Sequence, residues 1–186
     1  MNPMRAVKVL LFLLPVFLSF FLFVERAQAI VVQKSNNKPA EINSYELFWP
    51  IVPGRVSGDA LYPLKLFKEK IRGFFILSSI KKAEYNLFLS EKRVVELEKL
   101  VLINKDQANG AKTLTALKSS YEKVVLNYNK TLVGKMPVSS TGERIVKSFD
   151  NQALLLETIM AKADANQKES IKEIVSFLNL EISKIH

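Results

Sequence analysis

From Ile80 onward, apolar or small residues recur at alternating steps of three and four: Ile80, Ala83, Leu87, Ser90, Val94, Leu97 and Val101. That spacing puts all seven on one stripe of an α-helix, and a strand cannot use it, because strand side chains alternate with period two. A seam sustained over three heptads has to be buried against other helices. The flanking stretches repeat the signal. Leu64, Phe67, Ile71 and Phe74/Phe75 predict a first helix, opened by Asp59 as N-cap with Pro63 in its first turns, and with Lys65, Lys68, Glu69 and Arg72 on its other face. The second helix runs from about Ile80 to Ile103, with Glu91, Lys92, Arg93, Glu96 and Lys99 mainly off the seam. A third spans about Gln107 to Val133 behind an Asp106 cap, with Leu114, Leu117, Tyr121, Val124/Val125, Tyr128 and Leu132 inward and Gly134 and Pro137 as the stop. Ser140-Thr141-Gly142-Glu143 fits a capping box for a fourth, which carries Ile145, Phe149, Leu156, Ile159 and Ala163. Ala165-Asn166-Gln167 breaks or bends it before a last stretch with Ile171, Ile174/Val175, Leu178, Ile182 and Ile185. Only seven Pro and six Gly interrupt the chain. The expected fold class is therefore all-α: an antiparallel helical bundle of four or five helices.

Ahead of the bundle the chain changes character twice. Met1–Ala29 has a positive start at Arg5 and Lys8, an apolar run from Val9 to Val24 broken only by Ser19, and an Ala27-Gln28-Ala29 exit. This is the layout of a secretory signal peptide, whose cleavage needs the small side chains of Ala27 and Ala29. The competing fate is an uncleaved N-terminal membrane anchor. The sixteen-residue run at ~1.5 Å rise covers ~24 Å, less than a ~30 Å hydrocarbon core, and this favours cleavage. Either fate places the body outside the membrane, because the positive residues stay inside. Residues 30–44 are polar and read as a flexible spacer. Tyr45–Gly58 holds two Pro and two Gly, which forbid a helix, yet Leu47, Phe48, Trp49, Ile51 and Val52 call for burial. An extended segment lying over the helices satisfies both. The expected domains are a leader over 1–29, a spacer over 30–44 and a helical extracytoplasmic domain over 45–186.

Composition excludes many chemistries. There is no Cys, which removes disulfides, thiol nucleophiles, zinc–thiolate sites and iron–sulfur clusters. The one histidine, His186, is the last residue and cannot be held as a triad requires. No glycine-rich phosphate loop occurs. Glu84, Glu91, Glu96, Glu98, Asp150 and Glu157 offer candidates for a glycosidase pair, but most have Lys or Arg nearby on the same helix and read as solvated surface charge. Asn129-Lys130-Thr131 matches a glycosylation sequon in mid-helix. No cofactor or metal is expected. Arg5, Lys8 and Arg26 against Glu25 give the leader +2, so the body carries +7 of the formal +9. Its lysines are spread over every helix, which argues against nucleic acid as a partner. Lys65, Lys68, Lys70 and Arg72 share the first helix with Phe67, Phe74 and Phe75. Two readings fit: an amphipathic helix touching anionic lipid or a partner, and an ordinary helix with its apolar face in the core. The second is the expectation.

One stretch resembles a known family. Ser57-Gly58-Asp59-Ala60-Leu61-Tyr62-Pro63-Leu64-Lys65, then Glu69, Lys82-Ala83-Glu84 and Leu89-Ser90-Glu91-Lys92-Arg93-Val94-Val95-Glu96-Leu97 is similar to the bacterial family called domain of unknown function 5667. Trp49-Pro50-Ile51-Val52-Pro53-Gly54 looks like the lead-in of some members. The resemblance spans residues 45–103 at most and rests on Asp59, Leu61, Tyr62, Pro63, Lys65, Arg93 and Glu96. Ser90 and Val94 depart from the usual Ala and Leu. The resemblance implies an exported helical domain, often membrane-tethered, with no established activity. The expected function is a non-enzymatic scaffold or interaction module of the cell envelope, secreted or tethered, with the membrane (through the leader) and an envelope protein as partners. The alternative is the ligand-sensing or regulatory part of an envelope signalling system.

Overall fold

The computed structural model describes residues 42–133 and 139–185. The leader with Ala27 and Ala29, most of the spacer, Gly134, Pro137 and His186 lie outside the described residues. Among those described the fold is all-α, with six helices and no strand: α1 Ser44–Phe48, α2 Tyr62–Phe74, α3 Ser79–Glu98, α4 Gln107–Val133, α5 Ser139–Met160 and α6 Ala165–Ile185. α3 continues into a π-helical turn, Lys99–Asn104. No helix among the described residues is long and apolar enough to cross a membrane.

Four helices, α3 to α6, form the core, because each carries an apolar stripe with the period of a helix. Ala83, Leu87, Val94, Leu97 and Val101 of the α3 seam are buried, as are Leu114, Leu117, Tyr121, Val124 and Tyr128 of α4, Ile145, Phe149, Leu156 and Ile159 of α5, and Ile171, Ile174 and Leu178 of α6. α3 packs on α4 and α5, and α6 packs on α5 and α4. α4 and α6 run parallel. Gln167 Nε2 donates to the Gln107 carbonyl near their starts (2.8 Å), Lys118 pairs with Glu173 midway (3.6 Å), and Tyr128 and Ile185 meet over Gly142 near their ends.

The caps follow local chemistry. Asp106 accepts from the Asn109 backbone N–H (3.1 Å) and Asp164 from that of Gln167 (2.8 Å), each satisfying an orphan donor of the helix that follows. The break between α5 and α6 thus falls at 161–164, just ahead of Ala165-Asn166-Gln167. α5 begins at Ser139, so Ser140 lies in its first turn and not at its cap. Thr131 faces inward on α4 where Leu132 was expected to, and Leu132 is exposed.

The segment before α2 corrects the sequence reading more substantially. Ser44–Phe48 is a short helix, capped by Asn43, whose side chain accepts from Glu46 N. The two Pro and two Gly begin only after it, so they do not forbid it. Ser44 N donates to Glu98 Oε1 (3.0 Å) and the Ser44 hydroxyl to Glu98 Oε2, while Phe48 enters the core. Trp49 and Val52 are exposed, against expectation, and Val56 is buried in their place. Asp59 does not cap a helix. Its carboxylate accepts from Val56 N (2.8 Å) to close a turn, and α2 begins three residues later. Gly58 makes that turn possible with φ +99°, and a Cβ there would sit 2.7 Å from the Asn109 side chain.

Candidate functional site

α2 is amphipathic, but it sits the other way round from the expected orientation. None of its residues is buried. Leu64, Phe67, Ile71 and Phe74, with Phe75 just beyond the helix, share one face at 3.6 residues per turn, and that face is turned outward. Phe74 is 79% exposed, Phe75 74% and Leu77 89%. The inward side consists of Tyr62, Lys65, Glu69 and Gly73. At Gly73 a Cβ would lie only 3.3 Å from the Tyr85 ring, and the Tyr85 hydroxyl donates to the Glu69 carbonyl (2.9 Å).

The reason lies on α3. Arg93 and Glu96 are off the apolar seam, as expected, yet they are buried, with Arg93 5% and Glu96 0% exposed. They are i,i+3 partners: Arg93 Nη1 contacts both Glu96 oxygens at 2.9 and 3.1 Å. α2 adds the remaining members. Lys65 pairs with Glu96, Glu69 pairs with Arg93 and with Lys92 (3.1 Å), and Tyr62 Oη reaches Glu96 Oε2 (3.4 Å). The Tyr62 ring lies under both Lys65 (5.4 Å) and Arg93 (5.9 Å). Lys65 also donates to the Arg55 carbonyl (2.7 Å). Two carboxylates thus meet three cations in a place that water barely enters. Burial raises the Glu96 carboxyl while Arg93 and Lys65 pull it back, and burial lowers the Lys65 ammonium while Glu96 raises it. Against the burial that opposes its charge, Arg93 is held above its ordinary range by Glu96 and Glu69. Rolling α2 over would strip Arg93 and Glu96 of partners, and an uncompensated buried ion costs several kcal/mol.

The reversed helix leaves a surface to be explained. Each large apolar side chain left in water forfeits roughly 1.5–3 kcal/mol of burial. Contiguous exposed patches of this kind mark interaction sites. Lys68 and Arg72 flank the apolar face on one side and Lys70 on the other, and all three are exposed. The Arg72 guanidinium stands 5.6 Å from the Tyr85 ring centroid. Glu69 is the one acid between Ala60 and Lys82, and it points into the ion cluster.

The structure brings together four of the sequence-selected residues, Tyr62, Lys65, Arg93 and Glu96, places Asp59 and Leu61 in the turn that leads into α2, and places Pro63 in the first turn of the helix. Of the candidate carboxylates, Glu96 is locked in ion pairs, Glu98 holds Ser44, and Glu91 accepts from Ser148 Oγ (2.7 Å). Asp150 and Glu157 are exposed, and Glu84 is half-buried. A second polar group, missed from the sequence, lies at the bundle centre. Gln152 accepts from Tyr121 Oη (2.8 Å) and donates to Ser90 Oγ (3.1 Å) and Ser148 Oγ (3.0 Å). Its signal was a glutamine at a seam position, between Phe149 and Leu156. No group of three metal-ligating side chains occurs among the described residues. No protein-family model, curated protein or solved structure matches the chain.

Proposed function

We propose that this chain is a non-enzymatic interaction module of the cell envelope, exported by its first 29 residues and docking through the outward apolar face of α2. The observation that carries the reading is the inversion of that helix. Its charged side is spent on a buried ion cluster, and its phenylalanines are left for something outside the described fold. The bundle beneath serves as a rigid mount. Against an enzymatic reading, each buried carboxylate among the described residues already has a structural partner.

The test pairs topology with contact. The mature N-terminus is sequenced from the envelope fraction, and a photo-crosslinking residue is placed at Phe67 or, as control, at Glu157 on the bundle surface. The expected result is recovery from the envelope with adducts from position 67 and none from 157. Recovery from the cytosol alone, or equal adducts from both positions, overturns the proposal.

A further inference from the structure

We infer that the surface covered by α2 is an anionic lipid bilayer, and that the helix lies in the plane of the headgroups with Phe67, Phe74, Phe75 and Leu77 inserted. The inference rests on the interaction reading above and names its partner.

Three observations favour lipid over a protein groove. The first is charge. A helix that lies on an anionic bilayer needs an apolar face bordered by cations, with no carboxylate near the headgroups. Lys68 and Arg72 border one side of the α2 face and Lys70 the other, and Lys81 adds an exposed cation after the turn. The single acid of the stretch, Glu69, is removed from the surface by Lys92 and Arg93. The second is shape. The apolar set does not end with the helix but continues through Phe74, Phe75 and Leu77, the most exposed of the set. Successive exposed apolar side chains at a turn suit insertion into a fluid medium, whereas a protein groove reads anchors at helical spacing. The third is mounting. α2 is fixed by charge and hydrogen bonds along its inner side, so the outward face needs no change in the bundle to engage a plane.

The chain has no cysteine, so a single one can carry a reporter. The full-length Leu77→Cys and Glu157→Cys proteins are labelled with a polarity-sensitive fluorophore. They are then mixed with vesicles of phosphatidylcholine alone or with phosphatidylglycerol. Because the readout is local, association through the leader does not move it. The expected result is a blue shift at position 77 on phosphatidylglycerol vesicles, with position 157 unchanged. Reversal of two border charges, Lys70→Glu with Arg72→Glu, weakens that partition by about 30-fold or more, taking ~1 kcal/mol for each lost cation. Phe67→Ser with Phe75→Ser weakens it at least as much.

A label at 77 that stays aqueous on anionic vesicles overturns the inference, and so does equal insertion into phosphatidylcholine alone. If the label is aqueous on vesicles but shifts in native envelopes in a protease-sensitive manner, the face binds protein. The lipid inference then falls while the interaction reading stands. A label aqueous in both settings removes both.

Discussion

Replacing Arg93 by Met keeps an apolar stem of similar length in the same space and removes only the charge. The wild-type guanidinium makes two contacts to Glu96, at 2.9 and 3.1 Å, and one to Glu69. Glu69 retains Lys92, whereas Glu96, fully buried, keeps only Lys65 and the Tyr62 hydroxyl. Breaking a buried pair from one side costs about 3–5 kcal/mol, a large part of the ~5–15 kcal/mol that holds a domain together. At ~2–4 °C per kcal/mol for a domain of this size, the melting temperature falls by roughly 6–20 °C. The cost depends on pH. Burial already raises the Glu96 carboxyl and Arg93 opposes it, so removing Arg93 raises it further. An acid with a raised folded-state pKa contributes stability below its unfolded value and loses it as pH rises through the folded value. Arg93→Met should therefore cost less at pH 4, below the ordinary carboxylate value, than at pH 8. Arg93→Met with Glu96→Leu and Lys65→Met, which removes the buried pair and the ammonium that faces it while Glu69 keeps Lys92, should return to within about 1–2 kcal/mol of wild type. Urea unfolding followed by circular dichroism at both pH values decides it. A cost under about 1 kcal/mol at pH 8, or one equal at both pH values, refutes the account of this cluster.

Gln152→Leu leaves the Tyr121 hydroxyl without its acceptor in a fully buried site, and should cost about 1–3 kcal/mol in urea unfolding. Lys105 closes the π turn at φ +54°, a left-handed conformation that suits glycine. Lys105→Gly should raise stability by about 0.5–1 kcal/mol, read as a higher melting temperature. Burial pushes the Tyr62 phenol up to about 12, and burial also raises Tyr85, Tyr121 and Tyr128. The folded state then holds protons that the unfolded state releases near pH 10, so stability is intact below that value and falls as pH rises toward 12. Tyrosinate absorbance at about 295 nm should lag and then rise together with loss of circular dichroism. Full ionisation of these phenols near pH 10 in a still-helical protein would contradict it.

The bundle was legible because its information is carried by apolar periodicity. The α3 seam, the Gln107–Val133 span and its Asp106 cap could all be read directly from residue spacing. Periodicity states that α2 has two faces, but it cannot say which one turns inward. That depends on Arg93 and Glu96, 24 and 31 residues from the Glu69 and Lys65 they contact, being flanked by Val94, Val95 and Leu97 and so carried into the interior. The clue available beforehand was local. Arg93 and Glu96 are opposite charges at i,i+3 inside an apolar run, and Glu69 is an isolated acid within a basic stretch. Asp59 misled because the same side-chain geometry that caps a helix also closes a turn. Ser90 and Gln152 were readable as polar residues at seam positions, although they lie on different helices and Tyr121, which donates to Gln152, lies on a third.

The charged underside of α2 separates two kinds of inheritance. Tyr62, Lys65, Arg93 and Glu96 determine how the helix is seated, and none of them belongs to its outward apolar face. The outward residues can be exchanged with little effect on the bundle core, because none of them is buried. A chain that kept those four positions and redrew Phe67, Ile71, Phe74 and Phe75 would mount the same helix for a different task. Likeness at the mount therefore speaks to architecture, and the proposed docking role has to be tested at the face.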